Sequence, residues 1–133
     1  MQNNRFVIIT PFYNPGKFLE GCVNSIMTQK YSNFKVIFVD DASTDGSTDA
    51  TWYKELKNDP RVTLIRNERN LTALENIHNC IMDYCDVDDI VCLVDGDDML
   101  SNKNVLTYLN EQYNEFDPWC LYGSSKWSDG RSC

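Results

Sequence analysis

The sequence is short of histidine, of basic charge and of long apolar runs, and each shortage removes a class of function. A single histidine, His78, and the lack of any Cys-x-x-Cys pair leave nothing with the spacing of a zinc site. Twelve basic residues against twenty acidic ones give a net charge of -8. That balance excludes a nucleic-acid binder, which needs Lys and Arg in excess to meet phosphates. An anionic ligand stays open if a cation bridges it to the protein. No apolar stretch approaches the roughly 18 residues that span a bilayer. Val7-Ile8-Ile9 is likewise too short for the apolar region of a signal peptide. Six cysteines are present (Cys22, Cys80, Cys85, Cys92, Cys120 and Cys133). Cys22 and Cys92 fall inside apolar patterns, where a free thiol behaves as a small hydrophobe. The expectation is reduced thiols and a cytoplasmic location.

What is present is a regular alternation of short apolar runs and amphipathic stretches. At 133 residues, with 42% apolar and 24% charged content, the chain has the make-up of one globular domain over 1–133. Strands are expected at 6–10, 35–39, 62–65 and 90–94, with Trp119-Cys120-Leu121-Tyr122 beginning a fifth. Apolar residues at helical spacing predict helices over 17–29, 48–58, 72–85 and 103–115. Ser47 or Thr48 is the expected N-cap of the second helix. Thr72-Ala73-Leu74-Glu75 has the form of a capping box for the third, with Leu71 as its staple, and Leu74, Ile77, His78, Ile81 and Met82 as its apolar face. Strands alternating with helices predict a three-layer α/β/α fold around a mostly parallel sheet. The polar segment after Tyr122 reads either as a frayed tail or as the start of further structure.

Two of the strands end in carboxylates. Ile90-Val91-Cys92-Leu93-Val94 runs into Asp95-Gly96-Asp97-Asp98, and Lys35-Val36-Ile37-Phe38-Val39 runs into Asp40-Asp41 and a hydroxyl-rich loop. Carboxylates clustered at the end of a buried strand are costly unless a positive charge meets them. Oxygen ligands of this kind suit Mg²⁺ or Mn²⁺. In an extended backbone Asp95 and Asp97 project to one side and Asp98 to the other. The plain alternative is a turn built from ordinary turn residues. Since ligands of open α/β sheets bind at the carboxyl ends of the strands, two acidic ends point to one shared crevice.

Four segments, in order, carry a resemblance. They are Val7-Ile8-Ile9-Thr10-Pro11-Phe12-Tyr13-Asn14, Ser25-Ile26-Met27-Thr28-Gln29, Val39-Asp40-Asp41-Ala42-Ser43-Thr44-Asp45-Gly46-Ser47 and Asp95-Gly96-Asp97-Asp98. With these the chain resembles family 2 glycosyltransferases of the GT-A fold from residue 6 to about 122. The resemblance implies a nucleoside-diphosphate sugar donor, usually UDP-linked, an acceptor glycan, and Mn²⁺ or Mg²⁺. Position by position, it implies that Pro11 and Tyr13 line the base pocket, with Phe12 between them, and that Asp41 accepts a hydrogen bond from the base. Arg69 and Asn70 would stand near the phosphates or sugar. Asp95 would contact the ribose or sugar side, Gly96 would lie between the acids, and Asp97 would ligate the metal with Asp95 beside it. Two positions depart from the pattern. Many relatives carry Gly at or near Thr72, and Glu75 stands where an Arg often precedes the helix Asn.

Inverting transfer needs a base for the acceptor proton. In that family the base lies well downstream of Asp97, so no residue here is assigned to it. The expectation is therefore the donor-binding part of the fold, lacking the acceptor-binding half. A binding module without catalysis and the donor half of a split enzyme remain as alternatives. An EF-hand fails because the twelfth position counted from Asp41 is Trp52. A phosphoacceptor receiver domain fits less well, since its acidic pair follows the first strand. His78 is expected to be packed or at a rim, and Trp52, Trp119 and Trp127 to be core or edge aromatics rather than sugar platforms, although Trp127 is exposed enough by pattern to be a candidate for sugar stacking. The run Asp83, Asp86, Asp88, Asp89 reads as a solvated turn.

Overall fold

The computed structural model describes residues 1–127 and 129–132; Cys133, counted above among the reduced thiols, lies outside the described residues, as does Ser128. The elements run β1 (Phe6–Phe12), α1 (Phe18–Met27), β2 (Phe34–Asp40), α2 (Thr51–Glu55), β3 (Val62–Arg66), α3 (Ala73–Tyr84), β4 (Ile90–Leu93) and α4 (Val105–Phe116). The four strands form a parallel sheet in the order β3-β2-β1-β4. The pairing runs Phe6 to Phe34 through Phe12 to Asp40 on one side of β1, and Phe6 to Ile90 through Ile9 to Leu93 on the other.

Alternation along β1 and β2 explains the layers. Phe6, Ile8 and Phe12, with Phe34, Val36 and Phe38, face a core shared with Leu19 and Ile26 of α1, Tyr53 of α2 and Leu106 of α4. Val7, Ile9, Ile37 and Val39 face the other way, against Cys80 and Ile77 of α3. Each strand of this central pair is therefore apolar on both faces, as buried parallel strands are. The order in which strands are added reverses at β1, where β2 and β3 lie to one side and β4 to the other. That reversal places a switch point, the usual site of a ligand crevice, at the carboxyl end of β1.

Several expectations change. The second helix is only Thr51–Glu55, followed by a single 3-10 turn at Leu56–Asn58, and neither Ser47 nor Thr48 caps it. Thr48 is instead turned inward, its hydroxyl donating to Asp40 Oδ2 at 3.2 Å, so it is spent on the β2 loop. The capping box at Thr72 does not form: that residue makes no side-chain cap bond. The buried positions of α3 are Asn76 and Cys80, whereas Leu74 is 78% exposed and Met82 and His78 also face outward. Asn67 Nδ2 donates to Asn76 Oδ1 at 2.7 Å, and this bond turns the Asn76 face, rather than the Leu74 face, toward the sheet.

No fifth strand forms at Trp119–Tyr122 among the described residues. Asp117 adopts a left-handed conformation (φ 44, ψ 51) ahead of Pro118, and the following segment pairs with no strand, leaving Trp119 and Tyr122 exposed. The Asp86 and Asp89 pair is not simply solvated either. Both carboxylates accept from the Arg5 guanidinium, and the Arg5 carbonyl accepts the Ile90 amide at 2.9 Å, fixing where β4 begins.

Candidate functional site

Two adjacent carbonyls at the end of β1 hold the two acidic loops. The Phe12 carbonyl accepts the Asp41 amide at 2.9 Å, and the Pro11 carbonyl accepts the Gly96 amide at 3.2 Å. Successive residues of a strand present opposite edges, so one loop is drawn to each side of β1. The site is thus built from the strand ends of β1, β2 and β4, with the loop between β3 and α3 closing over Asp41.

At the β4 end, Asp98 does not diverge from its neighbours. The Asp98 amide donates to the Asp95 carbonyl at 2.9 Å, making a turn in place of extended chain. Carboxylate oxygens of Asp95, Asp97 and Asp98 consequently lie within 4.8 Å of one another, all three exposed. Burial, and then the charges of Asp98 and Asp97, push the Asp95 carboxyl up from its ordinary value. Like charges held this close oppose ionisation, and a divalent cation with hard-oxygen preference fits the set. Neighbouring packing positions the turn. A Cβ at Gly96 would come within 2.4 Å of Phe12 Cβ, so only glycine lets the loop lie this close to β1. Cys22 of α1 donates its thiol to the Asp95 carbonyl at 3.4 Å, and burial followed by the nearby aspartates pushes that thiol up to about 12, keeping it protonated.

The segment after the acidic turn is tied to α1 by residues that sequence reasoning left without a role. Ser25 Oγ accepts the Leu100 amide at 3.1 Å. Gln29, buried, donates to the Asn102 carbonyl at 2.6 Å and accepts the Leu106 amide at 3.1 Å. Cys22, Ser25 and Gln29 stand three and four residues apart, on one face of α1. Small or polar residues recurring on an otherwise apolar helix face were the signal available in the sequence.

The β2 end is arranged in the opposite way. Asp40 is buried, accepts the Ser43 amide at 2.8 Å and pairs with Arg66 at 3.2 Å. Asp41, 3% exposed, accepts Asn67 Nδ2 and the Leu71 amide on Oδ1, each at 2.8 Å, and the Thr72 amide on Oδ2 at 3.1 Å. Burial alone would raise its carboxyl, but these bonds, the Leu71 amide foremost, outweigh it and hold the group below the usual range. Asn14, in a left-handed conformation (φ 49), latches the β1 loop to this one: its amide donates to Ser43 Oγ at 2.9 Å, and its side-chain oxygen accepts the Thr44 amide at 2.8 Å.

Among the expected binding residues, Tyr13 is 53% exposed and directly precedes Asn14 of this latch, whereas Pro11 and Phe12 are buried and contribute their carbonyls and packing. Phe12 meets Tyr53 edge-on at 6.2 Å between ring centres. Arg69 and Asn70 are exposed, and Asn70 Nδ2 reaches the Asp41 carbonyl at 3.5 Å. Trp52 packs edge-on against Tyr53. Trp127 is exposed.

Residues 7–125 match the family described as Glycosyl transferase family 2. This chain belongs to that family. Among curated relatives it is 31% identical over 120 residues to glycosyltransferase GlyG of Streptococcus pneumoniae, covering 88% of this chain and 38% of that protein. It is also 34% identical over 89 residues to the putative teichuronic acid biosynthesis glycosyltransferase TuaG of Bacillus subtilis, covering 62% of this chain and 35% of the relative. Among solved structures, S. aureus TarS 1-349 in complex with UDP superposes with a TM-score of 0.72 at 25% identity, covering 85% of this chain and 33% of that one. The mannosyltransferase PcManGT from Pyrobaculum calidifontis, in complex with GDP-Man and Mn²⁺, gives a TM-score of 0.72 at 23% identity over 84% of this chain and 33% of its own. The family 2 chain thus spans about a third of the length of these relatives, and its parallel sheet is of the GT-A type.

Proposed function

We propose that this family 2 domain binds a nucleoside-diphosphate sugar, UDP-linked, with a divalent cation, and serves as the donor-binding part of a glycosyltransferase that moves the sugar to an acceptor hydroxyl of a glycan. The convergence of Asp95, Asp97 and Asp98 in a turn beside the carboxyl end of β1 carries the reading. Among the described residues no side-chain or backbone donor bonds their carboxylate oxygens, and a diphosphate would be repelled from them unless a cation stood between. The likeness to TarS, solved with UDP, supports the choice of base.

Asp97, with Asp95 and Asp98, would hold Mn²⁺ or Mg²⁺, which when bound offsets charge on the leaving diphosphate as a Lewis acid. Tyr13 would stack on the base above the Pro11 and Phe12 backbone, and Arg69 and Asn70 would stand at the phosphates or sugar. Transfer with inversion has the acceptor oxygen attack the anomeric carbon as the bond to the diphosphate breaks. The hydroxyl proton passes to a base for which no residue of this chain is named. Burial of Cys22 and Cys80 as core residues supports reduced thiols and a cytoplasmic setting. No helix of the described residues is long and apolar enough to cross a membrane.

Calorimetric titration with UDP, with and without Mn²⁺, tests the reading. Affinity should fall about tenfold or more without the cation, a difference of at least ~1.4 kcal/mol. Asp97→Ala should remove that difference while leaving the fold intact. Equal UDP affinity for the wild type and Asp97→Ala in Mn²⁺ would overturn the metal assignment. A transfer assay on the same protein separates an enzyme from a module that only binds.

A further inference from the structure

We propose that Ser25 and Gln29 are positioning residues for the divalent cation: from α1 they hold the chain that leaves the acidic turn, and so keep the carboxylates of Asp95, Asp97 and Asp98 together. The inference rests on the donor-site reading above and adds to it what fixes the spacing of the three acids. Like charges with oxygens within 4.8 Å of one another repel, and the turn that gathers them is closed by a single backbone bond, from the Asp98 amide to the Asp95 carbonyl. The chain from 94 to 104 that carries them has neither helix nor strand of its own. Its order has to come from another element.

That element is α1 with the residues just past its end, and the bonds come in matching order. Cys22 Sγ donates to the Asp95 carbonyl at 3.4 Å, the Leu100 amide donates to Ser25 Oγ at 3.1 Å, Gln29 Nε2 donates to the Asn102 carbonyl at 2.6 Å, and the Lys30 amide donates to the Lys103 carbonyl at 2.8 Å. Positions therefore rise together, from 22 to 30 on one side and from 95 to 103 on the other, and the helix serves as a rail. It is a fixed one, because Leu19, Cys22, Val23 and Ile26 are buried in the core beneath it. Ser25 and Gln29 are also held by their own helix before they meet the strap. Ser25 Oγ donates to the Cys22 carbonyl at 2.7 Å, and Gln29 Nε2 donates to the Ser25 carbonyl at 3.0 Å while its Oε1 accepts the Leu106 amide. Leu100 stands two residues beyond Asp98, so slack there passes directly into the turn. Carboxylates held together in advance spare the cation the cost of gathering them.

Calorimetric titration with Mn²⁺ and amide hydrogen exchange of the metal-free protein, on wild type, Ser25→Thr, Ser25→Val and Gln29→Met, provide the test. Threonine keeps the hydroxyl, and valine has nearly the same shape without it. Ser25→Val should weaken Mn²⁺ binding about tenfold or more, the range for groups that orient metal ligands, while Ser25→Thr should stay within about threefold of the wild type. Exchange at the Leu100 amide should quicken about tenfold in Ser25→Val, and by a larger factor than at β1 amides, which report global opening. Gln29→Met removes donor and acceptor together and should also weaken Mn²⁺ about tenfold or more; should it fail to fold, the threonine and valine pair decides. Equal Mn²⁺ affinity for Ser25→Thr and Ser25→Val, a loss of affinity without faster exchange at Leu100, or wild-type affinity in a folded Gln29→Met would each overturn the proposal and leave the donor site standing. A wild type that binds no Mn²⁺ would instead overturn the donor-site reading, and the proposal with it.

Discussion

The two acidic strand ends look alike in sequence and differ in what surrounds them. Asp40 and Asp41 at the end of β2 are buried, and every carboxylate oxygen accepts a bond from the protein. Asp95, Asp97 and Asp98 at the end of β4 are exposed, face one another, and have no cationic side chain pairing with them among the described residues. Carboxylates that have found internal donors hold a structure in place. Carboxylates gathered without donors are arranged for something that arrives from solution.

The strongest way to break this comparison is at Asp40. Asp40→Ala removes the acceptor of the Ser43 amide and the Thr48 hydroxyl and the partner of Arg66. A loss of about 2–3 kcal/mol in urea unfolding is expected, the range for buried bonds to a charged group, with Mn²⁺ affinity little changed in the protein that remains folded. A loss below ~0.5 kcal/mol would mean that the β2 end is not structural.

Gly96→Ala should follow in size. The new methyl meets Phe12 at 2.4 Å, so the acidic turn must move off β1. About 1–3 kcal/mol of stability and most of the Mn²⁺ affinity should be lost. Calorimetry with Mn²⁺ and urea unfolding on the same variant check the two losses, and wild-type Mn²⁺ affinity would mean that the acidic turn does not depend on its close approach to β1.

Acid should move the two ends in opposite directions. The Asp41 carboxyl is held low in the folded state, so its contribution is present above its unfolded value and is lost as pH falls through the folded one. The Asp95 carboxyl is held high by burial and by Asp98 and Asp97, so in metal-free protein acidification relieves repulsion there and favours the folded state as protons bind. Unfolding curves from neutral pH to about pH 3 should show Asp41→Asn flattening the acid loss of stability and Asp95→Asn steepening it. Matching profiles for the two variants would erase the distinction. The smallest effect belongs to Asp98→Asn, exposed and third in its cluster. It should change stability by less than ~0.5 kcal/mol and weaken Mn²⁺ binding less than Asp97→Asn does.

Particular residues show why the fold was more legible than the site. The runs ending at Asp40 and Val94 are apolar over a strand's length and bounded by turn residues, so local pattern alone marks β2 and β4 and predicts a mostly parallel sheet, while the GT-A type is what the resemblance of the four segments implies. Asp98 was misplaced because its direction depends on a turn closed by a bond to the Asp95 carbonyl, not on strand alternation. The face of α3 was misassigned because buried Asn76 follows Asn67, a tertiary preference that hydrophobic periodicity does not record. The saturation of Asp41 depends on amides at Leu71 and Thr72, 30 and 31 residues away in the chain. Trp119 to Tyr122 has strand composition but no neighbouring strand to pair with among the described residues, and composition cannot supply one.

Thermal unfolding of wild type, Asp41→Asn and Asp97→Asn, each with and without Mn²⁺, tests the division of labour most directly. A cation at about one hundred times its dissociation constant should stabilise the wild type by ~2.7 kcal/mol. Asp41→Asn should melt lower and keep that shift, while Asp97→Asn should melt like the metal-free wild type, or slightly higher, and show no shift. A Mn²⁺ shift that survives in Asp97→Asn and disappears in Asp41→Asn would contradict the account.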